Sequence, residues 1–488
     1  MNERTPVLVG AAAISQRLDD PSSALEPVAL MARALEAAAR DAGRPELLRA
    51  AEAVFVPRGF WAYPDPGRWV AERIGAAGAR SVLAELGVLQ TTLFGRACQA
   101  IQAGAEVVLV TGGEAKHRAR RAQQTGAPAP DSEQTPGSPD EVLRPSADII
   151  HPLEIARQMV MPVRQYAVME SALRAAEKLS VADHRRHVAE LWAGFNRVAS
   201  SNPDAWYPEP VSAETIAGES GVNPMLAFPY TRLHCSRWNV DQAAGLIFTS
   251  LGRARAAGIP EERWIFPRAV VESNHMLPLI ERRVLHRSPG FAVAGRVACE
   301  CSGLSPEAIE HVELYSCFPA AVRIQALELG IPESRPLSVT GGMTFAGGPL
   351  NNFVIQAAVK LAEALRADPG SHGLLDAVSG MLTKQGVSLW STLPGDAGFA
   401  YRDVSEEVGR EVAVVPVAPS GRGIARVAGY TVIHGASGPE RGVAYCDLPD
   451  GSRALAETRD PDWLTGLERE ELVGREVELV ADGEMRPA

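Results

Sequence analysis

The amino-terminal part of the chain alternates between apolar runs and runs whose apolar positions recur every three to four residues. Residues 6–13, 54–56 and 105–113 are almost wholly apolar or small, which is typical of strands buried on both faces. Residues 26–43 and 92–103 carry the helical repeat instead. Strands that alternate with helices predict a layered α/β fold.

This rhythm is interrupted in the middle of the chain. Residues 125–145 are rich in proline, glycine and polar side chains, which predicts a flexible loop. Residues 150–200 have the pattern of helices with one apolar face, and we interpret them as part of a helical insertion. The alternation of strands and helices resumes near residue 240 and includes a predicted helix at 319–329.

After about residue 404 the pattern changes to short alternating runs between Gly, Pro and Asp turns, which predicts a small all-β, barrel-like domain. Its predicted strands cover 411–417, 423–433, 442–448 and 476–480. The pattern divides the chain into a first α/β half at 1–120, an inserted loop and helical subdomain at 121–229, the end of the first half at 230–267, a second α/β half at 268–403 and the β domain at 404–488.

The 488 residues include 46% hydrophobic and 22% charged residues, and the formal net charge is −11. This composition excludes a wholly disordered chain. The acidic balance argues against nucleic acid or an anionic membrane as the main partner. No apolar run approaches the ~18 residues of a membrane span. The chain enters a strand-like run at once, without a basic and apolar leader, and we expect a cytoplasmic protein.

The six cysteines are scattered, and no cluster of cysteine and histidine has the spacing of a zinc site. We therefore predict no metal site and no disulfide framework, and each cysteine is interpreted by default as a small buried side chain. Lysine occurs only at 116, 178, 360 and 384. Because lysine is so rare in this chain, a lysine in a candidate loop is of more interest than usual.

Three blocks of sequence, taken in their order along the chain, resemble those of a known protein family. They are Val-Leu-Val-Thr-Gly-Gly before Glu114, the block His311-Val-Glu-Leu-Tyr-Ser-Cys-Phe318, and the block Gly341-Gly-Met-Thr-Phe-Ala-Gly-Gly-Pro349. The chain resembles the thiolase superfamily, and specifically the long thiolase-like proteins that are often labelled acetyl-CoA acetyltransferases. Those proteins also carry a small carboxy-terminal β domain and an insertion, whose blocks match His184, His187, Leu191-Trp192 and Asn202-Pro-Asp-Ala-Trp206.

The resemblance implies a duplicated thiolase fold, layered αβαβα, with the active site between the two halves at the starts of buried helices. It also implies a coenzyme A thioester as substrate or ligand, and no covalently bound cofactor. Thiolases use a nucleophilic cysteine, a second cysteine for acid–base chemistry and two oxyanion holes. They commonly pair as homodimers through the sheet edge of the nucleophile half, and the insertion could block that edge here.

The nucleophile position of the resemblance falls within residues 87–92, which contain no cysteine. Cys98 comes too late in the following helix and is interpreted as a core residue. Thr91 could substitute as a nucleophile, but a threonine needs an adjacent base, and the sequence shows none. The alternative role for Thr91 is a helix cap.

The other catalytic positions of the resemblance are also changed. The oxyanion-hole asparagine falls on Tyr315, whose hydroxyl can donate a hydrogen bond or a proton. The catalytic histidine falls on Gly348. The second cysteine would lie near Ser379 and Lys384, which are the polar candidates in that stretch. The sequence therefore favours chemistry that does not use a cysteine.

One related group is the sterol side-chain retro-aldolases, which are thiolase-like, lack the nucleophilic cysteine and work with a partner that carries a small β-barrel. The tyrosine-containing block around Tyr315 is similar to theirs, and a tyrosine can take the β-hydroxyl proton as a C–C bond breaks. The first hypothesis is therefore retro-aldol cleavage, or the reverse, on an acyl-CoA. The alternatives are a non-catalytic acyl-CoA or lipid-binding protein that scaffolds a partner, and an acyltransferase that uses Thr91 or Ser379.

Further residues are candidates for contact with the coenzyme A thioester. The resemblance places Ser236 beside the acyl-CoA, although capping of the local backbone is the alternative. Gly342, Gly347 and Gly348 indicate close backbone approach, either to a ligand or to a neighbouring helix. His275 begins a stretch rich in arginine, which is either a solvated surface or a grip on phosphates.

Overall fold

The computed structural model describes residues 2–135, 137–480 and 483–488. The first α/β half begins with the elements β1 (Pro6–Ser15), α1 (Pro27–Asp41), β2 (Ala53–Pro57), α2 (Pro66–Arg73), β3 (Arg80–Ala84), α3 (Gln90–Ala103) and β4 (Val107–Ala115). The insertion contains α4 (Lys116–Thr125), β5 (Glu141–Leu143), α5 (Pro152–Ala156), α6 (Pro162–Glu177), α7 (Val181–Ser201), α8 (Ala213–Ala217), β6 (Met225–Ala227) and β7 (Tyr230–Thr231).

The first half is completed by β8 (Asp241–Ser250) and α9 (Leu251–Ala256). The second half contains β9 (Phe266–Ser273), α10 (Pro289–Ser302), β10 (His311–Glu313), α11 (Pro319–Leu329), α12 (Gly342–Phe345), α13 (Phe353–Ala367), β11 (His372–Ser379), β12 (Lys384–Ser391) and β13 (Ala400–Asp403). The carboxy-terminal domain contains α14 (Ser405–Glu411), β14 (Gly423–Gly435), β15 (Gly438–Asp447), β16 (Arg453–Thr458), α15 (Pro461–Leu467), β17 (Glu476–Leu479) and β18 (Met485–Pro487).

The two halves repeat the same sheet pattern. The first sheet has the order β1-β8-β4-β2-β3-β5 and the second has the order β10-β11-β12-β9-β13. In the first sheet β1 and β4 are antiparallel to β8, and β2 is parallel to β4. In the second sheet β9 and β11 are antiparallel to β12, and β10 is parallel to β11. The duplication is therefore real at the level of strand direction and order.

The helices α3 and α13 form a central layer between the two sheets. Phe94 of α3 lies 6.3 Å from Phe248 of β8 and 5.6 Å from Trp390 of β12, measured between ring centroids. Every residue of α13 from Phe353 to Ala362 is buried, as expected for a helix covered on all sides. With α1 outside the first sheet and α10 outside the second, the predicted αβαβα layering is confirmed.

The insertion and the carboxy-terminal domain pack together. That domain is a sheet of order β16-β15-β14-β17-β18, and Ala227 of β6 pairs with Ile433 of β14. The buried Arg174 of α6 donates hydrogen bonds to Glu471 and to the Tyr430 hydroxyl. A guanidinium is costly to bury unless it is paired, and these bonds tie the insertion to the β domain.

One predicted strand of the β domain is wrong. The stretch 411–417 begins at the end of α14 and makes only isolated bridges, from Val414 to Arg282 and from Val417 to Arg453. The strand β16 and the helix α15 were not predicted. Within the described residues, no helix has the length and apolar character needed to cross a membrane.

Candidate active site

The segment 87–92 lies between the end of β3 and the first turn of α3, where the resemblance places a nucleophile. Gly87 has a left-handed φ of +96°, and a Cβ added to it would lie 3.0 Å from Cγ of Pro145. Nζ of Lys384 donates a hydrogen bond to the Gly87 carbonyl at 2.6 Å. The space beside Gly87 is therefore taken by a proline of the insertion and by a lysine of the second half.

Lys384 is itself buried, and burial lowers the pKa of its ammonium group. It lies at the start of β12 and pairs in register with Ser379 at the end of β11. The structure thus brings Ser379 and Lys384 together at one end of the second sheet. The hydrogen bond to Gly87 places Lys384 at the start of α3 as well.

Thr91 has the base that the sequence did not reveal, but it lacks access. Its hydroxyl donates to the carboxylate of Glu272, which also accepts from Thr92 at 2.9 Å and from Tyr401 at 2.8 Å. Burial raises the pKa of Glu272. Thr91 is fully buried, and a Cβ added to Gly386 would lie 2.3 Å from its Oγ1. A hydroxyl so enclosed cannot meet an acyl thioester without movement, and the geometry favours a role in packing.

Tyr315 follows β10 and is half-buried. Its backbone N–H donates to the Gln325 side chain at 3.0 Å, and its carbonyl accepts from the same amide at 2.8 Å. Its ring meets Phe353 edge-on, with centroids 6.2 Å apart. The Tyr315 hydroxyl makes no hydrogen bond to any residue that the structure describes. Burial raises the pKa of Tyr315 above its ordinary value, so the phenol is neutral and able to donate.

A second tyrosine, which no sequence pattern singles out, lies close to Tyr315. The hydroxyl of Tyr166, on α6, donates to the Gly380 carbonyl at 3.3 Å and accepts from the Leu382 N–H at 3.2 Å. Its ring stacks on Phe318, with centroids 4.8 Å apart. Tyr166 therefore holds the turn after Ser379, where the resemblance places the second cysteine.

The Cys317 thiol in this region is not activated. Cys317 lies two residues after Tyr315, and burial raises its pKa to about 12. Thiolates, rather than thiols, act as nucleophiles. Cys317 is thus a neutral, buried side chain, in line with the default interpretation of the cysteines.

Ser236 occupies the space that a side chain at residue 348 would need. A Cβ added to Gly348 would lie 2.3 Å from Oγ of Ser236. The Ser236 N–H donates to the Cys317 carbonyl at 3.1 Å, and the Gly348 N–H donates to the Arg237 carbonyl at 2.8 Å. The structure therefore brings Ser236 and Gly348 together beside the strand end that carries Tyr315.

The other two candidate glycines have protein neighbours. Gly342 and Gly347 have left-handed φ angles of +75° and +103°. A Cβ at Gly342 would lie 2.6 Å from the ring of Phe195 on α7, and one at Gly347 would lie 2.2 Å from Oε1 of Gln242. The sequence left open whether these glycines approach a ligand or a neighbouring helix. In the structure Gly342 approaches the helix α7, and Gly347 approaches the side chain of Gln242 on β8.

Comparisons with known proteins were made on the sequence and on the fold. No family model matches the chain. A curated acetyl-CoA acetyltransferase from Methanothermobacter thermautotrophicus is 26% identical over 200 residues, which are 38% of this chain and 50% of that protein. The chain thus matches about half the length of this curated relative. Among solved structures, a monomeric SCP2-thiolase-like protein type 1 from Mycobacterium smegmatis covers 100% of both chains with 27% identity and a TM-score of 0.83.

The chain is similar to thiolase-like proteins. Its fold is the thiolase fold, as the resemblance implied. The assembly named Ltp2-ChsH2(DUF35) aldolase also shares this fold, with 17% identity, a TM-score of 0.59 and coverage of 80% of this chain and 98% of that chain.

In this thiolase-like chain the sheet edge that thiolases commonly use for pairing is covered. Strand β5 of the insertion pairs with β3, with Val82 opposite Glu141 and Ala84 opposite Leu143. Arg80 and Arg96 both form ion pairs with Glu141, at 2.8 and 2.6 Å. The insertion therefore supplies a sixth strand at the place where a partner's strand would add.

The arginine-rich stretch after His275 is not a solvated surface throughout, and that interpretation is wrong for Arg282. Arg282 is buried, donates to the Leu277 carbonyl at 3.1 Å and has its pKa lowered to about 10 by burial. Arg287 is half-exposed and pairs with Glu328 at 2.7 Å. His275 lies beside Gly409 of α14. Arg282 also donates to the Thr383 hydroxyl at 3.3 Å, in the turn before Lys384. Contact of this stretch with a ligand remains a prediction.

Proposed function

We propose that this thiolase-like protein acts on acyl-CoA thioesters by C–C bond cleavage or formation of the retro-aldol type, without a cysteine nucleophile. The observation that carries the proposal is the Tyr315 phenol. It is half-buried, its hydroxyl has no hydrogen-bond partner among the described residues, and burial keeps it neutral. It also falls on the oxyanion-hole position of the resemblance.

A neutral phenol is suited to stabilise the enolate that forms in this chemistry. The β-hydroxyl of a β-hydroxyacyl-CoA loses its proton to water, and its carbon becomes a carbonyl as the bond between the α and β carbons breaks. The electron pair of that bond moves toward the thioester carbonyl and makes an enolate, which takes a proton from water to give the shortened acyl-CoA. A donor aimed at that oxygen stabilises the charge as it develops. Because the pKa of Tyr315 is raised, the phenol fits the role of enolate donor better than that of base toward the β-hydroxyl.

Replacement of Tyr315 by Phe tests this role. The expected result is a loss of turnover of about 10²- to 10³-fold, the usual cost of one oxyanion donor, while the melting temperature changes little because no hydrogen bond of the hydroxyl to the described residues is removed. The measurement is product analysis after incubation with a panel of β-hydroxyacyl-CoAs. Tyr63→Phe is the matched control, since the Tyr63 hydroxyl bonds to Glu26 in a separate part of the core. Unchanged turnover in Tyr315→Phe would contradict the proposal.

A second candidate function is non-catalytic binding of acyl-CoA, with a scaffolding role toward a partner. It is favoured by the filled space at Gly87, where Pro145 and Lys384 lie. It predicts that acyl-CoAs raise the melting temperature by mass action and are recovered intact. Release of a product would rule out the non-catalytic binding function. An unchanged melting temperature with every acyl-CoA would contradict both proposed functions. The cytoplasmic location remains a prediction.

A further inference from the structure

Two aromatic side chains stand exposed next to the candidate site, and a lysine lies against both of them. Phe60 and Trp238 are 44% and 49% exposed, and their rings meet edge-on with centroids 5.2 Å apart. Nζ of Lys116 lies 4.3 Å from the Phe60 ring centroid and 5.5 Å from that of Trp238. We call these three residues the aromatic–lysine patch.

The patch forms because three loops meet at one edge of the first sheet. Phe60 follows the carboxyl end of β2, Lys116 follows the carboxyl end of the parallel neighbour β4, and Trp238 precedes β8, which runs antiparallel to β4. Ligands of open α/β sheets bind outside the carboxyl ends of the parallel strands. The fold therefore places the patch where such a sheet commonly holds a ligand.

The patch is joined to the candidate active site by short connections. Trp238 lies two residues from Ser236, whose N–H reaches the Cys317 carbonyl at 3.1 Å, and Cys317 lies two residues from Tyr315. At about 3.3–3.6 Å per residue, the path from the Trp238 backbone to the Tyr315 backbone is at most about 20 Å. A long flexible arm can bridge such a separation.

Neither the lysine of the patch nor the arginine that precedes Trp238 forms an ion pair with a carboxylate of the described residues. Lys116 forms no ion pair there, and the acid nearest to it in the chain, Glu114, is buried and accepts the Phe60 N–H at 2.8 Å. Next to Trp238, Arg237 stacks over the Tyr207 ring at 4.1 Å, and its Nε is enclosed without a hydrogen-bond acceptor. In a chain of net charge −11, a lysine without an ion pair and an arginine next to Trp238 in the chain favour an anionic ligand.

We infer that the aromatic–lysine patch binds the phosphorylated adenosine end of a coenzyme A thioester, with the purine against Phe60 and Trp238 and a phosphate at Lys116. Aromatic side chains stack on bases, and lysine and arginine hold phosphate by charge-assisted hydrogen bonds. The inference rests on the proposed function and adds the site for the part of the ligand that does not react. The pantetheine arm then leads past Ser236 toward Tyr315.

The test is titration calorimetry of the full chain with coenzyme A, adenosine 3′,5′-bisphosphate, ADP and pyrophosphate. The wild type is expected to bind coenzyme A and adenosine 3′,5′-bisphosphate. Trp238→Ala is expected to weaken both by about 5- to 150-fold, the range that loss of one stacking partner gives. Lys116→Met is expected to weaken both and to reduce the dependence of binding on salt.

Trp463→Ala in the β domain and Lys178→Met at the exposed end of α6 are the matched controls and are expected to bind like the wild type. If Trp238→Ala and Lys116→Met both bind coenzyme A and adenosine 3′,5′-bisphosphate as tightly as the wild type does, the inference is overturned. The absence of nucleotide binding to the wild type would also overturn it. Pyrophosphate binding as tight as that of the nucleotides would overturn the role of the rings. Tighter binding of ADP than of coenzyme A would overturn the assignment to coenzyme A.

The same variants separate this inference from the proposed function. If Trp238→Ala converts acyl-CoA with the wild-type KM, the nucleotide site is refuted and the function stands. If the wild type neither binds nor converts any acyl-CoA but binds adenosine 3′,5′-bisphosphate through Trp238, the function is refuted and the patch is a nucleotide site without the coenzyme A assignment.

Discussion

Glu114 provides a quantitative test of the electrostatics at the end of β4. Its carboxylate is 3% exposed and accepts the backbone N–H of Phe60 at 2.8 Å. Burial raises its pKa from 4.5 to about 7, although the Phe60 hydrogen bond and Lys116 act in the opposite direction. Replacement by Gln keeps an oxygen for the Phe60 N–H and removes the ionisation.

The sign of the effect follows from the two pKa values. Below pH 4.5 the carboxyl is protonated in both the folded and the unfolded chain, and the substitution has no electrostatic consequence. Between 4.5 and about 7 the folded chain keeps a proton that the unfolded chain loses, so the free energy of unfolding of the wild type falls as pH rises. At about 1.4 kcal/mol per pH unit, the penalty reaches about 3 kcal/mol above pH 7.

Urea unfolding of the wild type and Glu114→Gln at intervals from pH 4.5 to 9 measures this penalty. The free energy of unfolding of the variant, relative to the wild type, is expected to rise by up to about 3 kcal/mol across that range. Glu85→Gln is the matched control and is expected to differ from the wild type by a constant amount across this range, because Arg58 lowers the pKa of Glu85 and its contribution to stability is lost only as pH falls below 4.5. A difference between Glu114→Gln and wild type that does not change with pH would refute the reasoning.

Two further predictions concern packing and association. Gly341→Ala is expected to destabilise the fold by about 3 kcal/mol or more, since Gly341 has a φ of +92° and an added Cβ would lie 2.3 Å from the Ala199 backbone nitrogen; a melting temperature equal to that of the wild type would contradict this. Replacing residues 140–143 with a Gly/Ser linker is expected to free the edge of β3 and produce dimers that depend on concentration, as measured by sedimentation; a variant that sediments as the wild type does at every concentration would show that β5 is not what blocks this edge.

The parts of the fold that could be predicted from the sequence are those set by neighbouring residues. The helix predicted at 319–329 is observed as Pro319–Leu329, and the helix predicted at 92–103 is observed as Gln90–Ala103. Their apolar repeat and their flanking glycines are local signals. The stretch 411–417 has an alternating pattern but no adjacent strand, and strand pairing is a long-range property that alternation alone cannot show.

The parts of the site that could not be predicted come from residues far apart in the chain. Tyr166 is 214 residues from its partner Gly380, and Thr91 is 181 residues from Glu272. The sequence around α3 does not indicate that Glu272, a carboxylate on β9, contacts Thr91. The sequence could locate Tyr315 because it lies inside a block that carries the resemblance. It could not locate Tyr166, because α6 belongs to an insertion whose helical pattern says nothing about which side chain faces the site.

The positions that the resemblance assigns to catalytic groups are enclosed by the side chains around them. Pro145 and Lys384 crowd Gly87, Ser236 lies where a side chain at Gly348 would extend, and Tyr166 holds the turn that starts at Gly380. A larger side chain introduced at one of these positions would therefore meet a filled space, and the cost of overpacking is about 1–3 kcal/mol per site. A cysteine-based cycle needs several of these positions at once. The Tyr315 hydroxyl is one of the polar groups in this region without a hydrogen bond to the described residues, and donation to an enolate or to a thioester carbonyl requires no covalent intermediate. That is why the proposal assigns the chemistry to a hydrogen-bond donor rather than to a replacement nucleophile.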